Sequence, residues 1–165
     1  MQRIIRNIDW IVTAALLVAV TSYIRGYGSG ELGALGNFIM LPVPEGEPRE
    51  VLELAEGTAI LHFMETECNP CRRDAQELLR FHRRHADIQV LGIGSGTDTR
   101  EELDRWSSAL GLSYPLFQAD RDEVERLAGI DMLPSTILVG EGKKLAHIRG
   151  ELSYNQLLAY TGRDK

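Results

Sequence analysis

The sequence predicts an α/β domain with a central mixed β-sheet flanked by helices. Buried-strand runs alternate with helical runs across the middle of the chain, and two later strand-like runs flank the turn Gly140-Glu141-Gly142-Lys143. Strands that alternate with helices pair in parallel, because the chain crosses over between them, whereas a short glycine turn joins antiparallel strands. The 165 residues, 44% hydrophobic and 25% charged, suit one such domain plus an N-terminal segment.

The predicted elements begin at residue 37. Residues 37–43 suggest a short strand, 50–54 an edge strand and 58–64 a buried strand, and 70–85 show the apolar spacing of a helix. The later elements are a buried strand at 88–94, a turn with a capping residue at 95–99, an amphipathic helix at 101–110 that Gly111 ends, an extended piece at 115–117, a short helix at 122–128, hairpin strands at 135–139 and 144–148, and a closing helix at 153–161.

Cys68-Asn69-Pro70-Cys71 lies where the buried strand ends and the first long helix begins, and holds both cysteines of the chain. The free N–H groups and the positive dipole end of a helix N-terminus stabilise a thiolate at the first position. The second thiol, within the first turn, can attack a mixed disulfide formed at the first. The motif therefore predicts reversible thiol–disulfide exchange, with Cys68 as nucleophile and Cys71 as resolving thiol.

Two plainer explanations of the cysteine pair are weaker. A purely structural disulfide across so short a loop stabilises little. A zinc site with His82 and His85 has a plausible spacing, but His82 lies eleven residues beyond Cys71, roughly 16 Å along one helix at about 1.5 Å per residue. Four ligands cannot then meet at about 2 Å from one ion. We expect no metal and no cofactor, and the two histidines are expected on a solvated face.

The N-terminus has the pattern of a membrane anchor or signal segment. Arg3 and Arg6 precede a charge-free run at 10–24, and residues 8–27 approach the ~20 residues that span a bilayer. Small residues suited to cleavage are poorly placed, so an uncleaved anchor is favoured over a signal peptide, with a buried core helix as the remaining alternative. The arginines keep the N-terminus in the cytoplasm. We therefore assign 1–27 to the anchor, 28–36 to a glycine-rich tether and 37–165 to the domain, on the extracytoplasmic (periplasmic) side of the cytoplasmic membrane.

Charge argues against nucleic acid as a partner. The net charge is −6, and the chain without residues 1–27 carries −8. Arginines at 72, 73, 80, 83 and 84 make the motif helix locally basic, usually the sign of a solvated face. The functional interpretation is that Arg72 and Arg73 help to stabilise the Cys68 thiolate.

These features together resemble the thioredoxin superfamily, and more narrowly the membrane-anchored TlpA/ResA-like thiol–disulfide oxidoreductases. The resemblance covers roughly residues 37–162. It rests on the anchor and tether, on the strand that leads into Thr66-Glu67-Cys68-Asn69-Pro70-Cys71, on the added segment at 97–128, and on the block from Gly129 to Val139 that contains Leu133-Pro134-Ser135-Thr136.

The resemblance implies several properties beyond the fold. The Leu133–Pro134 peptide bond is expected to be cis and to face the cysteines, and the Leu133 backbone to pair with an extended substrate; Glu67 adjoins this predicted substrate-binding surface. The implied partners are an exported client protein with a disulfide and a membrane thiol donor. The implied client is the haem-attachment cysteine pair of cytochrome c maturation.

The chain departs from the family pattern at several positions. The family usually has tryptophan where this chain has Met64 and Glu67, and a carboxylate beside Cys68 disfavours its thiolate. His62 replaces the buried aspartate of thioredoxin, six residues before Cys68. Asp74, three residues after Cys71, replaces a glutamate of the ResA-like members. We expect Asp74 to act as the acid–base group for Cys71 and His62 to modulate it.

Three other functions are compatible with parts of the sequence. A disulfide-forming oxidant would use the same fold and differ in reduction potential. A noncatalytic copper chaperone would need a third ligand, for which His62 is the nearby candidate. A peroxiredoxin is disfavoured because Thr66 lies two positions before Cys68 rather than three.

Overall fold

The computed structural model describes residues 34–55, 57–141 and 143–164. In these ranges the strands are β1 (Ile39–Pro42), β2 (Arg49–Glu50), β3 (Thr58–Met64), β4 (Gln89–Gly94), β5 (Leu116–Ala119), β6 (Ser135–Gly140) and β7 (Lys143–Arg149). The helices are α1 (Val51–Leu54), α2 (Asn69–Arg84), α3 (Arg100–Leu110), α4 (Arg121–Glu123), which continues as a π-helical turn (Val124–Ala128), and α5 (Tyr154–Tyr160).

One mixed sheet contains all of these strands in the order β2-β1-β5-β4-β3-β6-β7. The three strands β5, β4 and β3 run parallel, and β6 pairs antiparallel with β3, with Leu61 opposite both Leu91 and Ile137. The hairpin of β6 and β7 forms the antiparallel edge that the sequence predicts. The predicted α/β class and mixed sheet are confirmed.

Side chains of β3 alternate between two hydrophobic clusters, one on each face of the sheet. Leu61 and Phe63 belong to the cluster covered by α1 and the π-helical turn Val124–Ala128, and Ile60 and Met64 to the cluster covered by α2, α3 and α5. A strand buried on both faces reads as a continuous apolar run, which explains why β3 is evident from the sequence. His62 follows the same alternation, so its side chain projects towards the α2 side.

Helix α2 begins at the cysteine motif because Cys68 is its N-cap and Pro70 lies in its first turn. Proline fits there since the first N–H groups of a helix have no partner within it. His82, Arg83 and Arg84 occupy the last turn, where cations favour the negative end of the dipole.

The predicted edge strand at 50–54 is wrong beyond its first residue. Only Arg49–Glu50 pair with β1, and Val51–Leu54 form a single helical turn. The Val51 N–H donates to Phe38 O, and the Leu52 N–H donates to the side chain of Asn37. These bonds take up the donors that a strand would need, while Val51 is fully buried in the core.

The folded domain begins before residue 37, the boundary that the sequence predicts. Leu35 is buried and the Gly36 N–H donates to Leu127 O, so packing begins inside the segment predicted as tether. Residues 8–27, predicted as a membrane anchor, lie outside the described residues. Within the described residues no helix is long and apolar enough to cross a bilayer.

Candidate active site

The two cysteines sit at the start of α2, just beyond the end of the central strand β3. They form a disulfide, with an S–S distance of 2.04 Å and Cα atoms 5.2 Å apart. The Cys71 N–H donates to Cys68 Sγ at 3.2 Å, so an otherwise unpaired helix donor points at the first sulfur. Cys68 is half-buried and Cys71 is fully buried. The partly exposed Cys68 suits attack on another molecule, and the buried Cys71 suits the resolving step.

The loop before Cys68 is held by its neighbours. The Thr66 N–H and hydroxyl both donate to the Asp98 carboxylate, at 2.8 and 2.5 Å, and Gln118 donates to the Asp98 carbonyl. The Arg121 guanidinium donates to Glu65 at 3.0 Å. The loop that leads to Cys68 is therefore held to the β4–α3 loop, which β5 supports, and to α4.

Pro134 lies at the same end of the sheet as the cysteine motif. Ser135 pairs with Phe63 near the end of β3, and the preceding Leu133–Pro134 peptide bond is cis, as the resemblance implies. Pro134 is buried, Leu133 is half-buried and Met132 is exposed. The strand pairing thus brings Leu133 and Pro134 to the cysteine end of the sheet.

Most charges around the site are paired. Arg73 donates twice to Glu151, at 2.8 and 3.0 Å, and Arg149 donates to Asp131 at 2.6 Å; the Arg121–Glu65 pair completes the set. Among the described residues, Glu67 and Arg72 have no ion-pair partner within 4.0 Å. Glu151 compensates the charge of Arg73, which reduces what Arg73 can contribute to the Cys68 thiolate; the contribution of Arg72 stays a prediction.

Asp74 is buried in the second turn of α2. Its Oδ1 accepts a hydrogen bond from the Leu152 N–H at 3.0 Å, and its Oδ2 is buried without a protein partner. Burial raises the pKa of Asp74 to about 6, the Leu152 bond lowers it, the Glu151 charge raises it and the Arg73 charge lowers it. Because residues three apart on a helix lie on one face, Asp74 shares the face of Cys71.

His62 is fully buried, with its Nδ1 3.0 Å from the Thr136 hydroxyl and its Nε2 unpartnered. Burial lowers the pKa of His62 to about 3, so the ring is neutral near pH 7. A neutral imidazole can perturb its surroundings but does not change charge during exchange at that pH.

Several contacts of the site were not predicted from the sequence. Burial, followed by the nearby Asp74 charge, raises the pKa of Tyr114, which places this buried ring close to the carboxylate. The segment Gly150–Leu152 reaches both α2 and Pro134. Tyr114 lies 40 residues from Asp74 in the chain, and the segment lies 78 residues from the residues of α2 that it binds. No local sequence pattern marks contacts between residues so far apart.

His82, in the last turn of α2, and His85, its C-cap, lie at the opposite end of the helix from the cysteines. His85 Nε2 is 3.4 Å from the Tyr154 hydroxyl, and the His82 ring packs edge-on against Tyr114. His82 is half-buried with Nδ1 unpartnered, so it is not fully solvated as predicted. The part of the chain that is described contains no group of three potential metal ligands.

A Cys-x-x-Cys pair at a helix N-terminus, placed after the central strand and at the same end of the sheet as a cis-proline, defines a thioredoxin-like thiol–disulfide oxidoreductase. Residues 38–148 match the AhpC/TSA family, and the chain belongs to it.

Known proteins of the same class are similar along most of the chain. The thiol-disulfide oxidoreductase ResA of Halalkalibacterium halodurans is 22% identical over 153 residues, which cover 89% of this chain and 86% of the relative. The structure of StoA from Bacillus subtilis superposes with a TM-score of 0.64 at 21% identity, covering 77% of this chain and 97% of StoA. A DsbF homologue from Corynebacterium diphtheriae gives a TM-score of 0.69 at 17% identity and covers 81% and 87% of the two chains. These relatives support the TlpA/ResA-like resemblance.

Proposed function

We propose that this protein reduces disulfides in exported client proteins on the extracytoplasmic side of the cytoplasmic membrane. The observation that carries the proposal is the cysteine pair itself: Cys68 half-exposed at the N-cap of α2, with Cys71 buried one turn inside. The haem-attachment cysteine pair of an exported cytochrome is the client that the resemblance suggests.

The exchange proceeds in two successive thiol–disulfide exchange steps. The Cys68 thiolate attacks one sulfur of the client disulfide, forming a mixed disulfide and releasing the other client sulfur as a thiolate. Cys71 then loses its proton and attacks Cys68 Sγ, which forms the Cys68–Cys71 disulfide and releases the second client sulfur. Two electrons pass to the client, and a membrane thiol donor returns the protein to the dithiol form.

Asp74 is the proposed proton acceptor for Cys71. A base functions best when its pKa lies near the ambient pH, and burial places that of Asp74 at about 6. Its Oδ2 has no protein partner, so this oxygen can accept a proton. His62, neutral at that pH, has a modulating role.

The balance of charges around Cys68 favours a reductant over an oxidant. A strongly oxidising pair requires a well-stabilised thiolate in the reduced form. Here the Cys71 N–H and the helix dipole stabilise the thiolate, but Arg73 is compensated by Glu151 and Glu67 adjoins Cys68. A reduction potential near −270 mV would support the reductant, and one near −120 mV would instead indicate a disulfide-forming enzyme.

The location follows from the N-terminal sequence. Residues 8–27 hold the length and apolar character of a single span, with Arg3 and Arg6 on the cytoplasmic side. We expect the full chain to remain in the membrane fraction after alkaline carbonate washing. Release of intact protein by that wash, or a domain open to protease from the cytoplasm, would overturn the location.

The cysteine roles are tested by trapping. Cys71→Ser should accumulate mixed disulfides through Cys68, because the resolving thiol is gone, whereas Cys68→Ser should form none and turn over no substrate. The measurement is non-reducing electrophoresis after acid quenching, with mass spectrometry of the linked peptides. Normal turnover by Cys71→Ser would show that the roles are wrongly assigned.

A further inference from the structure

The segment Gly150–Leu152 ties the two halves of the active site together through three consecutive residues. The Gly150 N–H donates to Pro134 O at 2.9 Å. Glu151 accepts two hydrogen bonds from Arg73, and the Leu152 N–H donates to Asp74 Oδ1. One tie reaches the cis-proline and the other two reach adjacent residues of α2.

The backbone of this segment is shaped for the connection. It follows β7, and Gly150 has φ of +90°, a conformation that residues with a Cβ rarely adopt. Ser153 then caps α5 with its side chain. The three residues thus form a turn with both ends fixed, and this turn holds Pro134 and α2 at a set separation.

The segment also places charge beside Asp74. The charged or titratable groups around that carboxylate are Arg73 and Glu77 from α2, Glu151 from the segment, and Tyr114 from the loop between α3 and β5. Within this set, Glu151 and Arg73 are an ion pair whose two charges act on Asp74 in opposite directions.

We propose that Gly150–Leu152 is a positioning segment for thiol–disulfide exchange, in which the Glu151–Arg73 pair adjusts the charge state of Asp74 and thereby the resolving step at Cys71. This inference rests on the proposed function. It assigns Glu151 and Arg73 as positioning residues that act through Asp74, without contact with the client.

A purely structural ion pair makes a different prediction. If the pair only fastened the segment to α2, removal of either partner would break the same bridge and have the same effect. If the pair acts through charge, the two removals have opposite effects. Glu151→Gln leaves the Arg73 charge, which favours the ionised Asp74, and Arg73→Gln leaves the Glu151 charge, which opposes it.

The test compares these two variants with a matched pair elsewhere. Arg49 and Glu53 form an ion pair of similar exposure on the far edge of the sheet, and Glu53→Gln and Arg49→Gln control for the change in net charge. Carbon-13 NMR of the oxidised proteins follows the Asp74 carboxyl, assigned by its loss in Asp74→Asn. Rates of reduction of oxidised glutathione between pH 4.5 and 8.5 give the kinetic profile.

We expect the Asp74 midpoint to fall by about half a pH unit in Glu151→Gln and to rise by a similar amount in Arg73→Gln, as a weak, exposed pair would produce. The pH–rate profiles should shift in the same directions as the Asp74 midpoints. The control variants should change neither the Asp74 midpoint nor the pH–rate profile. To separate an effect through Asp74 from a direct effect of these charges on the Cys68 thiolate, each variant is repeated with Asp74→Asn, where the kinetic shift should disappear.

Shifts of both variants in one direction, or a kinetic shift that persists with Asp74→Asn, would overturn the inference. So would NMR shifts that the rate profile does not follow. If wild-type protein exchanged with no disulfide at any pH, the proposed function would fail, and the role in catalysis would fail with it. If the protein exchanges disulfides but the two variants show no opposite shifts, the role of the segment is wrong and the proposed function stands.

Discussion

Two buried titratable residues on the α2 side of the sheet respond to pH in different ranges. Asp74 and His62 are both almost wholly removed from solvent. Burial moves the pKa of the carboxyl up to about 6 and that of the imidazole down to about 3. Asp74 therefore changes charge close to neutral pH while His62 does not. This difference supports the assignment of Asp74 as the acid–base group, although the sequence alone makes both residues candidates for that role.

Replacement of Asp74 should change how the exchange rate depends on pH. Asp74→Asn keeps an oxygen that can accept the Leu152 N–H but cannot accept a proton from Cys71. We expect resolution to slow by about 100-fold at pH 7, the lower end of the range that a general base contributes. The midpoint near pH 6 should vanish from stopped-flow rates of mixed-disulfide resolution. An unchanged profile in Asp74→Asn, with a changed one in His62→Asn, would exchange the two roles.

The same carboxyl should affect stability in a predictable direction. Since folding raises the pKa of Asp74 from 3.8 to about 6, its favourable contribution is complete below about pH 3.8 and is lost as the pH rises through 6. Relative to wild type, Asp74→Asn should therefore gain on the order of 2 kcal/mol between pH 4 and pH 7.5. Urea unfolding of both proteins at the two pH values measures this difference. A constant difference would show that the buried carboxyl does not carry the shifted pKa.

His62 should destabilise the fold in acid. Folding lowers its pKa from 6.5 to about 3, so the stability it contributes is complete above pH 6.5 and declines as the pH falls towards 3. At pH 4.5 the loss is on the order of 2 kcal/mol. His62→Asn removes the group that must charge on unfolding, so its unfolding free energy should fall less between pH 7.5 and 4.5. Parallel curves for the variant and wild type would contradict the burial of a neutral ring.

At the level of helices and strands, locally encoded signals were predicted best. Thr99 caps α3 through a capping box with Glu102, and Gly111 ends that helix with φ of +64°. Both devices are set by a few adjacent residues, which is why sequence patterns find them. Val51–Leu54 was mispredicted because its backbone donors bind Phe38 and Asn37, which lie just before β1. A strand pattern does not show which partner the backbone will have.

The contact between β4 and α3 depends on a glycine. A Cβ at Gly94 would lie 2.7 Å from Leu103 Cδ1 and 2.8 Å from Cδ2, and Leu103 is fully buried. We expect Gly94→Ala to cost about 1–3 kcal/mol by overpacking, and much less when Leu103→Val first removes those methyl groups. Gly111→Ala is the control, because its cost of about 1 kcal/mol comes from backbone conformation and should not depend on Leu103. Thermal denaturation of five variants decides between these outcomes: Leu103→Val, Gly94→Ala and Gly111→Ala, and each of the two glycine variants combined with Leu103→Val.

Across the whole molecule, the chemistry of the site was predictable and its electrostatic surroundings were not. The sequence indicates the cysteine pair because its signal is a short motif on a strand-to-helix turn, and the resemblance supplies the cis Leu133–Pro134 bond. The sequence does not indicate that Glu151 compensates Arg73 or that Leu152 binds Asp74. Those bonds join residues 78 positions apart and exist only once α2 packs beside the end of β7.

The N-terminal end of the domain should couple to the active site through the core. Leu35 and Phe38 are buried, and the Phe38 ring lies 6.3 Å from that of Phe63, on the strand that leads to Cys68. A chain that starts at residue 34 keeps these contacts, so we expect it to unfold cooperatively and to reduce oxidised glutathione at the full-length rate.

A chain that starts at residue 39 loses both side chains, each worth about 1.5–3 kcal/mol of burial, a large share of a typical stability of about 5–15 kcal/mol. Urea unfolding should then show a midpoint far below that of the longer variant, with a loss of exchange at denaturant concentrations that the longer variant tolerates. Equal midpoints would mean that the domain begins after residue 38, nearer the boundary at residue 37 that the sequence pattern predicts, and that the Phe38–Phe63 contact contributes little.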